Sequence, residues 1–109
     1  MERERRHQMR LHALESLAYV HRSAGHFGQA LDAALRAVAG EPLRESAHRQ
    51  VIETYVAEGN VGEAVRHFEA LRKLLRGELG VEPSSSLRHL VADTVAAKRP
   101  DHRDAGRDV

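Results

Sequence analysis

The chain has 109 residues, which is enough for one domain with a modest core and too few for two. Aromatic residues make up only 4% of the sequence and tryptophan is absent, so the core has to be built from Leu, Val, Ile and Ala, which favours packed helices. The absence of cysteine excludes disulfides and thiolate zinc sites, and no apolar stretch is long enough for a secretory signal or a membrane span. The 17 basic and 16 acidic side chains are mixed along the chain, which gives little attraction to nucleic acid or anionic membranes. A cytoplasmic protein is predicted.

The first 38 residues predict a helical hairpin. One helix runs from about Glu2 to Ala24 and a second from Phe27 to Val38. They are separated by Gly25-His26, a turn so short that the two helices have to run antiparallel. The predicted inward face of the first helix consists of Leu14, Leu17, Ala18 and His21, flanked by Leu11 and Val20; that of the second consists of Phe27, Ala30, Leu31, Ala34, Leu35 and Val38.

Three more helices are predicted after the break at Gly40-Glu41-Pro42, where the residue before proline is driven out of the helical region. The third runs from about Arg44 to Ala57 and stops at Gly59-Asn60. The fourth runs from Val61 to about Leu79, and a fifth begins after Ser84, which is a favourable N-cap residue.

Apolar residues at helical spacing define the core of this second half. Phe68 is predicted to anchor it by packing against Val51, Ile52 and Tyr55, and an ion pair between Glu45 and Arg49 is expected on the outside of the third helix. The other inward positions are Ala47, Val56, Val61, Ala64, Val65, Leu71, Leu75, Leu87, Leu90, Val91 and Val95. Residues 98–109 contain one sizeable apolar side chain and are predicted to be disordered, which leaves residues 1–97 as the folded domain.

An internal repeat connects the two hairpins. The segment AGHFGQAL (residues 24–31) aligns with EGNVGEAV (residues 58–65), with two glycines and one alanine identical at a separation of 34 positions. That separation is the period of the tetratricopeptide repeat, which is built from helical hairpins. The recurring Gly28 and Gly62 indicate a close backbone contact at the same point of each copy. The predicted fold is all-α: a tetratricopeptide-like array of two helical hairpins and a fifth helix.

No pattern in the sequence predicts catalysis, a cofactor or a metal. None of the eight histidines forms the HExxH pair of zinc enzymes, and the glycine-rich turn at residues 59–62 lacks the Lys-Ser/Thr of a phosphate-binding loop. The basic side chains Arg72, Lys73 and Arg76 are interpreted as a solvated helix face.

The sequence resembles the bacterial transcriptional activator domain over about residues 5 to 95. The match rests on the segment EPLRE (residues 41–45), on Ala47-His48, and above all on LGVEPS (residues 79–84), which follows a long basic helix. In the antibiotic-regulatory-protein class of bacterial regulators this domain follows a winged-helix DNA-binding domain. The resemblance implies a chain that lacks the DNA-binding domain and the first helices of the activator domain. Such an array is expected to self-associate or to need a partner, with Leu11, Leu31 and Leu35 among the exposed apolar residues.

The resemblance implies an interaction module that mediates self-association or contacts with the winged-helix domain or the transcription machinery. Mapped by the repeat, the first helix of each hairpin lines one side of the array; its candidate protein-contact residues are Glu15, Tyr19, Arg22, Arg49 and Glu53. The alternative is a stand-alone tetratricopeptide adaptor for a peptide or protein. Direct DNA binding would require a recognition helix with a basic face, which the sequence does not contain.

Overall fold

A computed structural model describes residues 1–99 of the chain, and within that part it contains five α-helices and no strand. The prediction of an all-α fold is confirmed. The prediction of disorder falls mostly on residues 100–109, which lie outside the described part, whereas Lys98 is the last residue of the fifth helix. The helices are α1 (Glu2–Ser23), α2 (Phe27–Gly40), α3 (Glu45–Glu58), α4 (Val61–Leu79) and α5 (Ser85–Lys98).

Three glycines end helices α1, α3 and α4 with backbone conformations that few other residues adopt. Gly25, Gly59 and Gly80 have φ angles of 79°, 86° and 66°, in the left-handed region. Helix α5 begins as predicted, because the Oγ atom of Ser84 accepts a hydrogen bond of 3.2 Å from the backbone N–H of Leu87. These local signals fixed the helix boundaries to within one or two residues.

The core of the first hairpin is made of small side chains. Helix α2 packs against both α1 and α3, and it buries four alanines, so the backbones approach closely. The predicted face of α2 is therefore wrong in part: Leu35 is 43% exposed, and Ala33 and Ala37 are buried in its place. Helix α1 buries Leu11 and Ala18, so the prediction that Leu11 is exposed is wrong, whereas Leu17 is 45% exposed.

The predicted close contacts at Gly28 and Gly62 are also wrong. A Cβ atom added at Gly28 would meet nothing within 4 Å, and one at Gly62 would meet only the side chain of Arg66. Both glycines lie in the exposed first turn of a helix. The close approach occurs instead at Gly40, the last residue of α2, where an added Cβ would lie 2.8 Å from Cδ2 of Leu11.

A second core lies between α3, α4 and α5. Phe68 is 8% exposed and belongs to one cluster with Ile52, and Tyr55 packs against that cluster, as predicted. Val51 does not belong to it, because it faces the first hairpin and packs with Ala18, Ala33 and Ala34. The remaining buried members of the second core are Ala64, Leu71, Leu75, Leu87 and Val91.

Candidate interaction surface

The five residues predicted to contact a partner lie on helices α1 and α3, which pack against each other. The start of α5 adjoins α3 on this side, where the carboxylate of Glu45 accepts a 2.7 Å hydrogen bond from the backbone N–H of Ser84. We call the surface formed by Glu15, Tyr19, Arg22, Arg49 and Glu53 the polar face.

Glu15 is held by the residues that begin α3. Its Oε2 atom accepts hydrogen bonds of 2.6 Å from Nε of Arg44 and 2.9 Å from the hydroxyl of Ser46. Arg44 also donates through Nη1 to Oε1 of Gln8 at 2.7 Å. The side chains of Glu15 and Arg44 are 12% and 18% exposed, so this pair is shielded from water and stronger than a surface ion pair. It fixes α1 against the N-terminus of α3.

A chain of polar contacts connects the other charged members of the polar face. Arg22 donates to Oε1 of Gln50 at 2.6 Å and lies 3.5 Å from Oε2 of Glu53. The other carboxylate oxygen of Glu53 is 3.9 Å from Nη1 of Arg49, which also donates to the hydroxyl of Ser86 on α5. The structure therefore brings Arg22, Arg49 and Glu53 together in one network that crosses three helices. The predicted pair between Glu45 and Arg49 is replaced by these contacts.

Tyr19 is the only aromatic residue of the polar face, and its ring extends largely into solvent. The residue is 59% exposed, and the guanidinium carbon of Arg22 lies 5.4 Å from the centre of its ring, within the range of a cation–π contact. An exposed tyrosine beside an arginine is a composition enriched at binding hot spots.

A pair of histidines, one buried and one partly buried, connects α3 to α4 and was missed by sequence reasoning. His48 is 5% exposed; its Nε2 donates to the carbonyl oxygen of Pro42 at 2.7 Å. Its Nδ1 must then accept the 2.9 Å hydrogen bond from Nε2–H of His67. Desolvation by burial, with a smaller contribution from His48, lowers the pKa of His67 to about 4. The pair fixes the loop between α2 and α3 against α4, and its 19-residue separation gives no local sequence signal.

Residues 1–99 contain no group of three or more His, Cys, Asp or Glu side chains arranged to hold a metal ion. In the same part of the chain, no helix combines the length and the hydropathy that a membrane crossing requires.

Two packed helical hairpins, joined by the LGVEPS turn to a fifth helix, α5, are the arrangement that the sequence resemblance implies. A family model described as the bacterial transcriptional activator domain matches residues 1–93. The chain belongs to the bacterial transcriptional activator domain family. This family is a regulatory one and is not a known enzyme family. No curated protein and no solved structure gives a significant match.

Proposed function

We propose that this bacterial transcriptional activator domain is a non-catalytic helical-repeat interaction module of a bacterial transcriptional regulator, of the antibiotic-regulatory-protein class. The match of the family model over residues 1–93 is the observation that carries the proposal. In this proposal the domain mediates self-association or contacts with the transcription machinery, and a separate winged-helix domain recognises DNA. Because transcription takes place in the bacterial cytoplasm, that is the compartment in which the domain would act.

Two features of the fold support an interaction role. The two helical hairpins share the 34-residue period of tetratricopeptide arrays, which bind partners over extended helical surfaces. Large apolar side chains on α1 and α2 are also exposed, so a partner that covered them would remove apolar surface from water. They are Met9, Leu17, Tyr19, Val20 and Leu35.

A tethering experiment tests the proposal. The chain is fused to a heterologous sequence-specific DNA-binding domain and expressed in bacteria with a reporter gene behind the matching operator. Recruitment of the transcription machinery predicts an increase of about tenfold or more in reporter output over the DNA-binding domain alone. A folded, operator-bound fusion that leaves the reporter at its basal level would refute contact with the machinery.

Self-association is tested separately by sedimentation of the isolated chain. We expect a shift from monomer to dimer as the concentration rises from micromolar to several hundred micromolar. Leu17→Lys should shift the equilibrium back, because it places a charge among the exposed apolar side chains of α1. Sedimentation as a monomer at every concentration would leave contact with other proteins as the role of the domain.

A further inference from the structure

An open groove lies between α4 and α5 and has a volume of about 1080 Å³. Val65 and Phe68 of α4 and Val91 and Val95 of α5 contribute apolar surface to it. Phe68 and Val91 are each 8% exposed, so the groove reaches down to the second core. This groove was not predicted from the sequence.

The groove continues along the two helices. A second cavity, of about 490 Å³, shares Val65, Val95 and Arg99 with the first and extends it to Val61 and Lys98. The two cavities follow α5, whose 14 residues span about 21 Å at 1.5 Å per residue. A single α-helix of three to four turns has the dimensions to lie in this space.

The charges around the groove are mainly positive. Five cationic side chains (Arg66, Arg72, Arg88, Lys98 and Arg99) and two anionic ones (Glu69 and Glu82) line the two cavities, a net charge of +3.

Several of these charges are already neutralised by partners within the domain. Arg72 pairs with Glu69 and with Glu82, whose pKa is held below its usual value by hydrogen bonds from Arg76 and Arg72, and Arg66 pairs with Glu63. Within residues 1–99, Arg88, Lys98 and Arg99 form no ion pair. Within the described residues, the positive charge of the groove is therefore only partly neutralised.

The repeat itself explains why a helix fits here. Helix α1 pairs with α2 and α3 pairs with α4, whereas α5 has no hairpin partner among the described residues. In a helical-repeat array, a helix that completes a hairpin with α5 would pack against both α5 and α4, the last helix of the previous hairpin. The groove between α4 and α5 occupies that position.

We propose that the groove between α4 and α5 binds one amphipathic α-helix of a partner protein, with an apolar stripe flanked by acidic side chains. The proposal rests on the proposed function as an interaction module and names its binding site and the chemistry of its partner. The stripe would cover Val65, Phe68, Val91 and Val95, and the acidic flanks would meet Arg88, Lys98 and Arg99. Residues 100–109 contain a single large apolar side chain, Val109, and so lack such a stripe.

A designed peptide serves as the probe. It is an 18-residue fluorescein-labelled helix with leucines at positions i, i+3, i+4 and i+7 and glutamates beside them. A second peptide keeps the leucines and replaces each glutamate by lysine. In anisotropy titrations of the full chain, we expect the acidic peptide to bind at least about tenfold more tightly than the basic one, a difference of about 1.4 kcal/mol. Equal affinities, or no binding of the acidic peptide, would overturn the proposal.

Substitutions on the two helices locate the bound peptide. Ala92→Arg places a long side chain in the groove and should weaken binding about tenfold or more, because Ala92 lines the cavity and is exposed. Ala70→Arg is the matched control, since Ala70 is exposed on α4 and does not line either cavity. The double variant Arg88→Glu, Arg99→Glu should reverse the preference in favour of the basic peptide. If Ala92→Arg binds like the parent while its circular dichroism is unchanged, the groove is not the site.

Two further measurements distinguish other occupants of the groove. Removal of residues 100–109 is expected to leave the affinity unchanged; a rise of tenfold or more would assign the groove to the chain's own C-terminal segment and overturn the proposal. If the chain dimerises and Ala92→Arg abolishes the dimer, the groove binds a second copy of the chain, and this result would also overturn the proposal. Failure of peptide binding with continued activation by the tethered fusion would reject the groove and retain the interaction module.

Discussion

The pair of His48 and His67 makes the stability of the domain depend on pH between about pH 6.5 and pH 4. Burial lowers the pKa of His67 from 6.5 to about 4, so the folded state favours the neutral ring more than the unfolded state does. The stabilisation is fully present above pH 6.5 and is lost as the pH falls from 6.5 towards 4, because the unfolded chain binds the proton first.

The size of the effect follows from the two pKa values. Linkage between 6.5 and about 4 gives a loss of about 2 kcal/mol between pH 7.5 and pH 5.0. His67 is only partly buried, and solvent screening reduces the expected loss to about 1 kcal/mol.

Urea unfolding followed by circular dichroism at 222 nm at the two pH values measures this loss. His67→Gln cannot titrate and can still donate to Nδ1 of His48, so the variant should lose less than about 0.5 kcal/mol over the same range. His89→Gln is the control, since His89 is exposed on α5 and the variant should keep the pH dependence of the parent. A His67→Gln variant with the full pH dependence of the parent would refute the assignment of the effect to this pair.

Three other predictions concern the core and DNA. Phe68→Ala should destabilise the domain by about 3 kcal/mol, the lower end for a buried phenylalanine because one side of the ring faces the groove. The control Leu79→Ala should change the free energy of unfolding by less than about 0.5 kcal/mol, because Leu79 is exposed. Equal melting temperatures of the two variants would contradict the packing of Phe68. Gly40→Ala should destabilise the domain by about 1 kcal/mol, because the added methyl group would be too close to Leu11. Gly28→Ala should stabilise the domain by up to about 1 kcal/mol, because a methyl group there meets no other atom within 4 Å. A Gly40→Ala variant more stable than the parent would contradict the close approach of Gly40 to Leu11. The isolated chain should show no sequence-selective binding of duplex DNA in anisotropy titrations at physiological salt, and selective binding below micromolar concentration would contradict this.

Local chemistry made most of the helix boundaries predictable. Gly25, Gly59 and Gly80 end helices by adopting positive φ, and Ser84 caps the N-terminus of α5 with its hydroxyl. These signals act over three or four residues, so they can be identified without knowledge of the rest of the fold. The bounds predicted for α4 agree with the structure at both ends.

Inward faces were less predictable where a helix packs on two neighbours. Helix α2 contacts α1 and α3, and the residues that it buries fully are all alanines. Hydrophobic periodicity assigns the larger side chain to the core, so it placed Leu35 inside and overlooked Ala33 and Ala37. Size complementarity between helices is a property of the packed structure, and a single sequence does not contain it.

The partners of polar side chains were also unpredictable, since most of the decisive contacts join residues far apart in the chain. Arg44 meets Glu15 across 29 residues and Arg22 meets Gln50 across 28. The pattern that sequence reasoning used, opposite charges four residues apart, finds only contacts within one helix. The candidate residues of the polar face were chosen by position in the repeat, and their use by a partner remains a prediction.

The two surfaces differ in what binding would require of them. A partner that engages Glu15 or Arg22 has to compete with intramolecular hydrogen bonds of 2.6 Å made by side chains that are largely shielded from water, so it exchanges one strong contact for another. A helix in the groove between α4 and α5 would cover apolar surface of the partly exposed Val65 and Val95 and meet cations that form no ion pair within residues 1–99. We therefore expect the groove to bind a partner more readily than the polar face. The polar contacts of this face instead hold α1 against α3 and connect α3 to the start of α5.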